Sequence, residues 1–274
     1  MQKHKVASRV FDGAGSGGQM AEALLSAEGL QRSFYGVRAL NGASLSVRPG
    51  TITGLIGPNG AGKTTVFNCL SGVIPAEGGR VTFDGGDVTH LRPEEISQRG
   101  LVRTFQIARG FPKLTVLETL LLHGDAQPGE DVLVALFSPR RWRVRERELV
   151  ARAEAVAERL KLSHVLEHMA SDLSGGQKKL LEIGRALMGD PKLILLDEPV
   201  AGVNPALGLE IAERILELRE TGLTFLVVEH DMEIVRRLCD PVIVMAGGAH
   251  LMEGSFEEVV ADPRVQDAYL GQRA

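Results

Sequence analysis

A glycine-rich segment early in the chain combines residue types and spacing that bind phosphate. Gly57–Thr64 fits the pattern G-x-x-x-x-G-K-[S/T], and a second threonine follows it. In such a loop, successive backbone N–H groups point inward at phosphate oxygens, and the positive end of the following helix adds to the attraction. The lysine supplies a positive charge for the β- and γ-phosphates, and the first threonine supplies a hydroxyl for Mg²⁺. The residues predicted to contact a nucleoside triphosphate are Gly57, Pro58, Asn59, Gly60, Ala61, Gly62, Lys63, Thr64 and Thr65.

The flanking sequence favours this interpretation over a chance glycine-rich turn. An apolar strand is predicted over Thr51–Ile56, directly before the loop, and a helix from Lys63 towards Leu70. A strand, a loop and a helix in this order are the context that the motif requires. The sequence therefore predicts that the chain binds a nucleoside triphosphate.

Two adjacent carboxylates follow a second apolar strand. Asp197 and Glu198 come directly after Leu193–Leu196. Ligands of parallel α/β sheets bind at the carboxyl ends of the strands, so both acids should lie beside the phosphate loop. The pleat sends neighbouring side chains in different directions. We expect Asp197 to hold the Mg²⁺ shell and Glu198 to face an attacking water; the alternative, a surface turn, is disfavoured after four aliphatic residues.

A histidine follows a third strand of the same kind. His230 comes after the run Thr224–Glu229. A lone histidine is more often a surface or core residue, but a position at a third strand end favours a role in the site. Phosphoryl transfer depends on positioning and on charge stabilisation. His230 is therefore predicted to contact the γ-phosphate and to orient the water.

A second anion-binding helix start is predicted at Leu173-Ser174-Gly175-Gly176-Gln177. Ser174 is a good N-cap for a helix over Lys178–Met188, and the two glycines expose backbone N–H groups. Two phosphate-binding devices in one chain are unusual for a metabolic kinase. That alternative also leaves His230 unexplained.

Together these motifs resemble the ATP-binding-cassette (ABC) ATPases, in the order and approximate spacing of that family, over roughly residues 24–270. The resemblance implies an α/β fold. Its core is that of a P-loop (RecA-like) NTPase, with a small antiparallel β subdomain and an inserted helical subdomain. It implies that ATP and Mg²⁺ are bound. It also implies that the signature residues of one subunit bind the γ-phosphate of ATP held by a partner subunit; these residues are Ser174, Gly175, Gly176 and Gln177.

Further roles come from the resemblance alone. Phe34 matches the aromatic residue that stacks on adenine, with Tyr35 as the alternative. Gln106 matches the glutamine that reaches the Mg²⁺ and the water and leads into the helical subdomain. Glu198 matches the general base and His230 the switch histidine. Asn204 stands where the family usually has an aspartate, which puts its role across the dimer in doubt.

Finer features narrow the resemblance to the LivG-type ATPase subunits of bacterial branched-chain amino-acid importers. They are Arg103–Gln106, the charged insert Ser138–Lys161, the variant Ala201–Pro205 and the tail Pro263–Gly271. Urea-importer ATPases and the lipopolysaccharide-export ATPase have related tails, although the insert fits them less well. A soluble ABC ATPase acting on DNA or ribosomes usually carries two cassettes or long coiled-coil inserts, and neither is found here.

The resemblance also implies an assembly. Two ATPase subunits, identical or homologous, would sandwich two ATP molecules beneath two transmembrane permease subunits. A substrate-binding protein would deliver the cargo. The expected location is peripheral, on the cytoplasmic face of the bacterial inner membrane.

Composition agrees with a globular α/β protein that does not coat nucleic acid. The 274 residues carry 31 Lys and Arg against 35 Asp and Glu, a net charge of −4, whereas binding along a duplex needs a basic face. Two cysteines make a disulfide framework very improbable. No apolar stretch approaches the roughly 20 residues of a membrane span.

Three regions are predicted along the chain. Residues 1–22 form a flexible leader or an expression remnant, and residues 23–271 the ATP-binding domain. The helical subdomain is expected over about 106–185, where Leu149–Leu160 shows the spacing of an amphipathic helix. Short strands are predicted at Leu24–Leu30, Ala43–Val47 and Arg80–Phe83, with Lys192–Leu196 and Leu223–Val228 as central parallel strands and Ala206–Arg219 as a helix.

Overall fold

A mostly parallel sheet forms the core of the protein in the computed structural model, which describes residues 23–104, 113–124 and 139–270. Its strands are β3 (Ile52–Ile56), β6 (Leu101–Arg103), β7 (Leu193–Asp197), β8 (Thr224–Val228), β9 (Val242–Ala246) and β10 (Ala249–Gly254). Their order is β10-β9-β3-β8-β7-β6. Neighbours pair in parallel except β9 and β10, which are antiparallel. The predicted α/β fold is confirmed.

The central strands are buried on both faces. Every residue of β3 and β8 is buried. Continuous apolar runs are what such strands require, and this is why they were identified from sequence. The parallel pairing places the ends of β3, β7 and β8 at one edge of the sheet, where the phosphate loop, the two acids and the histidine follow them.

A second, antiparallel sheet contains β1 (Leu25–Phe34), β2 (Val37–Val47), β4 (Gly78–Phe83) and β5 (Gly86–Asp87), in the order β2-β1-β4-β5. The first two strands are longer than predicted. They continue to a two-residue turn at Tyr35 and Gly36, whose φ angles are 50° and 85°. Positive φ at both positions is the signature of a tight hairpin turn, which lets the pairing extend to Phe34 and Val37.

The helices are α1 (Lys63–Leu70), α2 (Pro93–Gln98), α3 (Val116–Leu121), α4 (Pro139–Arg159), α5 (Gly175–Leu187), α6 (Pro205–Glu220), α7 (Met232–Leu238), α8 (Phe256–Ala261) and α9 (Pro263–Leu270). The amphipathic spacing predicted within α4 agrees with its packing, because Leu149, Ala153, Val156 and Leu160 are all buried. No helix among the described residues is long and apolar enough to cross a membrane.

Two predictions about domain limits stay predictions. Residues 1–22 lie outside the described residues. The helices α3, α4 and α5 share one apolar core with the strands of the central sheet, and the limits 106–185 for a separate helical subdomain are not tested by this packing.

Both cysteines are free thiols buried in the protein. Burial raises the pKa of Cys239 to about 12, so this side chain is a neutral packing group.

Candidate nucleotide-binding and catalytic site

The phosphate loop connects the end of β3 to the start of α1, as its sequence predicts. Two of its glycines are required by close backbone contacts. Gly57 has φ 148°, and a Cβ atom there would lie 2.2 Å from the carbonyl oxygen of Met245. Gly62 has φ 98°, and a Cβ atom would lie 2.6 Å from the carbonyl oxygen of Ala39. The loop is thus pressed between β9 and β2, and only glycine fits at either end.

Lys63 is folded over the loop that precedes it. The side chain is 6% exposed. Its Nζ atom donates hydrogen bonds to the carbonyl oxygens of Gly57 and Pro58, at 2.6 and 3.0 Å. Burial lowers the pKa of the ammonium group, and the carboxylates of Glu198 and Asp197 oppose this shift. Both acids are therefore close enough to act on the lysine charge.

The other loop residues lie either between the two glycines, as Ala61 does, or in the first turn of α1, as the two threonines do. The N–H of Ala61 donates to the Pro58 carbonyl at 3.2 Å, and its carbonyl accepts from the N–H of Gly248 at 3.2 Å. Thr64 is exposed at the N-terminus of α1, and Thr65 is partly buried beside it. Thr64 therefore lies at the end of the helix where an anion is favoured.

Asp197 is held by an arginine that the sequence analysis did not identify as part of the site. The Nη2 atom of Arg103 lies 2.8 Å from Oδ2 of Asp197, and Nη1 donates to Oδ1 of Asn68 at 2.5 Å. Arg103 ends β6, which pairs directly with β7. The adjacency of these two strands is the only signal that could have revealed the pair, and the sequence does not show it.

Glu198 and His230 contact each other at the same edge of the sheet. The Nε2 atom of His230 lies 3.1 Å from Oε1 of Glu198, with the side chains 46% and 35% exposed. Glu198 has φ 50°, an unusual value for a residue other than glycine. Its backbone N–H donates to the carbonyl of Val228 at 2.9 Å. The two residues assigned to the chemistry are thus brought together and remain accessible.

The signature segment begins α5 with a capping box. The hydroxyl of Ser174 accepts the N–H of Gln177, and the Gln177 side chain accepts the N–H of Ser174. Because this box orders the first turn, the helix starts at Gly175 rather than at the predicted Lys178. A Cβ atom on Gly176 would lie 2.3 Å from Leu207 of α6. The segment is therefore fixed to the core, while Ser174 and Gly175 remain exposed.

The aromatic residues predicted near adenine lie on the β1–β2 hairpin. The Arg32 guanidinium lies 5.0 Å from the centroid of the Phe34 ring, and Tyr35 is fully exposed. The contact of Ala39 with Gly62 holds this hairpin beside the phosphate loop. Which ring meets the base stays a prediction.

Two other predicted residues differ in what the structure shows of them. Gln106 lies outside the described residues. Asn204 is the N-cap of α6, and its Oδ1 atom accepts the N–H of Leu207 at 2.9 Å. An aspartate could make the same cap, so the substitution preserves this local role.

The C-terminal helix also reaches the phosphate loop. The backbone N–H of Gly57 donates a hydrogen bond to the Tyr269 hydroxyl, which partly offsets the rise in the tyrosine pKa caused by burial. From the sequence alone, this tail was only a feature of the family resemblance. Its contact with the loop depends on the path of α9 across the molecule, for which the sequence contains no local signal.

Comparison with known proteins agrees with this geometry. The sequence profile of the family described as "ABC transporter" matches residues 40–201. This chain belongs to the ABC transporter family. A second profile, "Branched-chain amino acid ATP-binding cassette transporter", matches residues 250–274 of this chain, which is called the cassette below. The ATP-binding proteins of this family hydrolyse ATP, so this chain is an ATPase.

Close relatives and structures cover most of the cassette. It is 45% identical to the probable branched-chain amino acid transport ATP-binding protein LivG of Archaeoglobus fulgidus, over 90% of this chain and 95% of the relative. It is 38% identical to the high-affinity branched-chain amino acid transport ATP-binding protein BraF of Pseudomonas aeruginosa, over 92% of this chain and 100% of the relative. The ADP conformation of MJ1267, an ATP-binding cassette of an ABC transporter, superposes with a TM-score of 0.80 at 43% identity, covering 91% of this chain and 99% of that one.

Proposed function

We propose that this chain is the ATP-hydrolysing subunit of an importer for branched-chain or closely related amino acids. The observation that carries the hydrolytic part is the Glu198–His230 pair at one sheet edge, close to the buried Lys63. The cargo assignment is supported by the names of the relatives and by the C-terminal profile match.

Binding of ATP would begin at the phosphate loop. Its backbone N–H groups and the start of α1 attract phosphate oxygens. Lys63 would exchange its hydrogen bonds to the two loop carbonyls for hydrogen bonds to phosphate oxygens. Its positive charge would then lie beside an anion instead of beside neutral carbonyl groups. The base would stack on Phe34 of the hairpin, and the signature residues Ser174–Gln177 would bind the γ-phosphate of ATP held by a partner cassette.

Hydrolysis would use Glu198 as the general base. Its carboxylate accepts the proton of the attacking water, while His230, 3.1 Å away, orients the carboxylate and contacts the γ-phosphate. Gln106 would contact the same water. Because both side chains are partly exposed, water reaches them without rearrangement of the core.

The residues present also fit a magnesium ion. Hard oxygen ligands are what Mg²⁺ prefers, and usually only one or two come from the protein. The Thr64 hydroxyl and the Asp197 carboxylate would hold it, with Gln106 as a further ligand; no larger cluster of acids, histidines and cysteines occurs among the described residues. Bound Mg²⁺ neutralises charge that develops on the phosphates.

The assembly would contain two cassettes, two permease subunits and a substrate-binding protein, on the cytoplasmic face of the inner membrane. ATP would favour closure of the cassette pair because its affinity differs between the open and closed states. Hydrolysis removes that preference. The permeases then return to their starting conformation.

Two experiments test this function. Gentle affinity purification from native membranes should recover two permeases, a second cassette and an amino-acid-binding protein, whereas recovery of ribosomes or DNA factors would contradict it. Uptake of labelled leucine by the native cells should be lost with Glu198→Gln and kept with Glu233→Gln, a matched change at an exposed residue of α7. Loss of urea uptake or of lipopolysaccharide export, with normal leucine uptake, would overturn the cargo assignment.

A further inference from the structure

A buried carboxylate lies between the two segments that carry the candidate catalytic pair. Glu229 is only 4% exposed. Its Oε1 atom accepts the backbone N–H of Val200 at 3.0 Å. Its Oε2 atom accepts the N–H groups of His230 and Asp231, at 3.0 and 3.5 Å. One side chain therefore binds backbone groups from both strand exits.

Glu229 lies just after the point where the backbone hydrogen bonds between β7 and β8 end. The last β7–β8 partners are Asp197 and Val228, and one further backbone bond joins the N–H of Glu198 to Val228. Beyond that point no further backbone hydrogen bond joins the two segments among the described residues. Val200 lies two residues after Glu198. The hydrogen bond from its N–H to the Glu229 carboxylate therefore connects the segment after β7 to the segment after β8, where no backbone bond does so.

Burying a carboxylate in this way is costly unless its oxygens are satisfied. Hydrogen bonds from N–H groups to an ionised acceptor are stronger than neutral ones, which makes the three amides adequate partners. Among the described residues no Lys or Arg forms an ion pair with Glu229. An apolar residue could fill the volume but could not hold the two segments together.

We propose that Glu229 is a positioning residue that sets the separation of Glu198 and His230 by tying Val200 to the backbone of His230. This inference rests on the proposed roles of Glu198 and His230. Glu229 does not touch ATP. Its effect is on the geometry of the pair.

The test is Glu229→Gln in the full-length chain. The amide keeps the shape but directs an NH₂ group at a backbone donor, so one of the two connections is lost. Turnover should fall about tenfold, the scale of one charge-assisted hydrogen bond, with the affinity for Mg-ATP unchanged. Glu233→Gln, at an exposed residue on the next helix, should leave both values at the parental level.

A double-variant cycle separates positioning from a general loss of stability. If Glu229 acts through His230, Glu229→Gln should slow a His230→Ala protein little further, since the pair it aligns is already absent. Radiolabelled ATP keeps slow turnover measurable. Two results would overturn the proposal. In one, the fold losses of turnover in the two single variants multiply in the double variant; in the other, Glu229→Gln folds and turns over at the parental rate.

Two further variants keep the result interpretable. Glu198→Gln is measured in the same assay: if it turns over normally, the assigned base is wrong, whereas its inactivity beside a fully active Glu229→Gln refutes only the positioning role. If Glu229→Gln does not fold, Glu229→Asp replaces it. The shorter acid retains the charge but draws away from Val200, so it should show the same selective loss of turnover; parental turnover would refute the role.

Discussion

His230 approaches Glu198 to 3.1 Å, from Nε2 to Oε1, although 32 positions of sequence numbering separate residues 198 and 230. The parallel pairing of β7 with β8 creates this contact, because both residues follow the ends of neighbouring strands. Glu198 adopts φ 50° as the chain leaves β7. Such backbone strain persists only where the surroundings fix it, and it is frequent at functional sites. Here the backbone bond to Val228 fixes the residue beside the histidine.

Lys63 should be needed for nucleotide affinity and not for folding. Lys63→Met keeps an unbranched side chain, one atom shorter, and removes a buried charge together with its two hydrogen bonds to loop carbonyls. The relief of burying the charge offsets the loss of these bonds, so the free energy of unfolding without nucleotide should change little. The affinity for Mg-ATP, measured by calorimetry, should fall about a hundredfold, as for loss of a charged partner of phosphate. Lys113→Met, at an exposed lysine, is the control. Parental affinity in Lys63→Met would contradict the assignment of the loop.

His123 should make stability depend on pH. Its Nε2 atom accepts hydrogen bonds from Nε and Nη2 of Arg185 at 2.9 and 2.7 Å, so Nδ1 carries the proton and donates to the Thr119 carbonyl at 2.8 Å. Burial, aided by the Arg185 charge, lowers the His123 pKa below 6.5. The folded protein therefore binds fewer protons than the unfolded chain just below this pH, and its stability should decrease as the pH falls from 6.5 towards the folded-state pKa.

The change His123→Gln tests this dependence. Glutamine does not titrate, so the decrease in the urea midpoint between pH 7.5 and 5.5 should be smaller than in the parent. His90→Gln, at an exposed histidine, should keep the parental slope. Equal slopes in the parent and in His123→Gln would show that His123 is not the titrating group.

Tyr269 should contribute to nucleotide affinity through the phosphate loop. Tyr269→Phe keeps the ring and removes only the acceptor of the Gly57 N–H, so the loop loses one neutral hydrogen bond. The dissociation constant for Mg-ATP should rise about three- to tenfold. Asp267→Asn, exposed on the same helix, should have no effect. An unchanged constant in Tyr269→Phe would mean that the tail does not influence the loop.

Local patterns predicted much of the fold and of the site. The phosphate loop, α1 and the central strands were identified because their signals lie within a few residues: glycine spacing, a following helix and continuous apolar runs. Ser174 was recognised as an N-cap for the same reason. The first two strands were predicted too short because their extension depends on the φ angles of Tyr35 and Gly36, which side-chain type indicates weakly.

What the sequence did not reveal depends on contacts between distant segments. Arg103 meets Asp197 only because β6 lies beside β7, and Glu229 meets Val200 only because β8 lies on the other side of β7. The order of strands in a sheet is set by the packing of the whole core. No short motif contains that information.

The most direct test of the account is the turnover of Glu198→Gln compared with its binding of ATP, in the full-length chain. The amide keeps the contact with His230 but cannot accept the proton of the attacking water. Turnover should fall about a hundredfold or more, the scale of losing a positioned base, while the affinity for Mg-ATP stays at the parental value. Hydrolysis at the parental rate would contradict the central claim that Glu198 is the base.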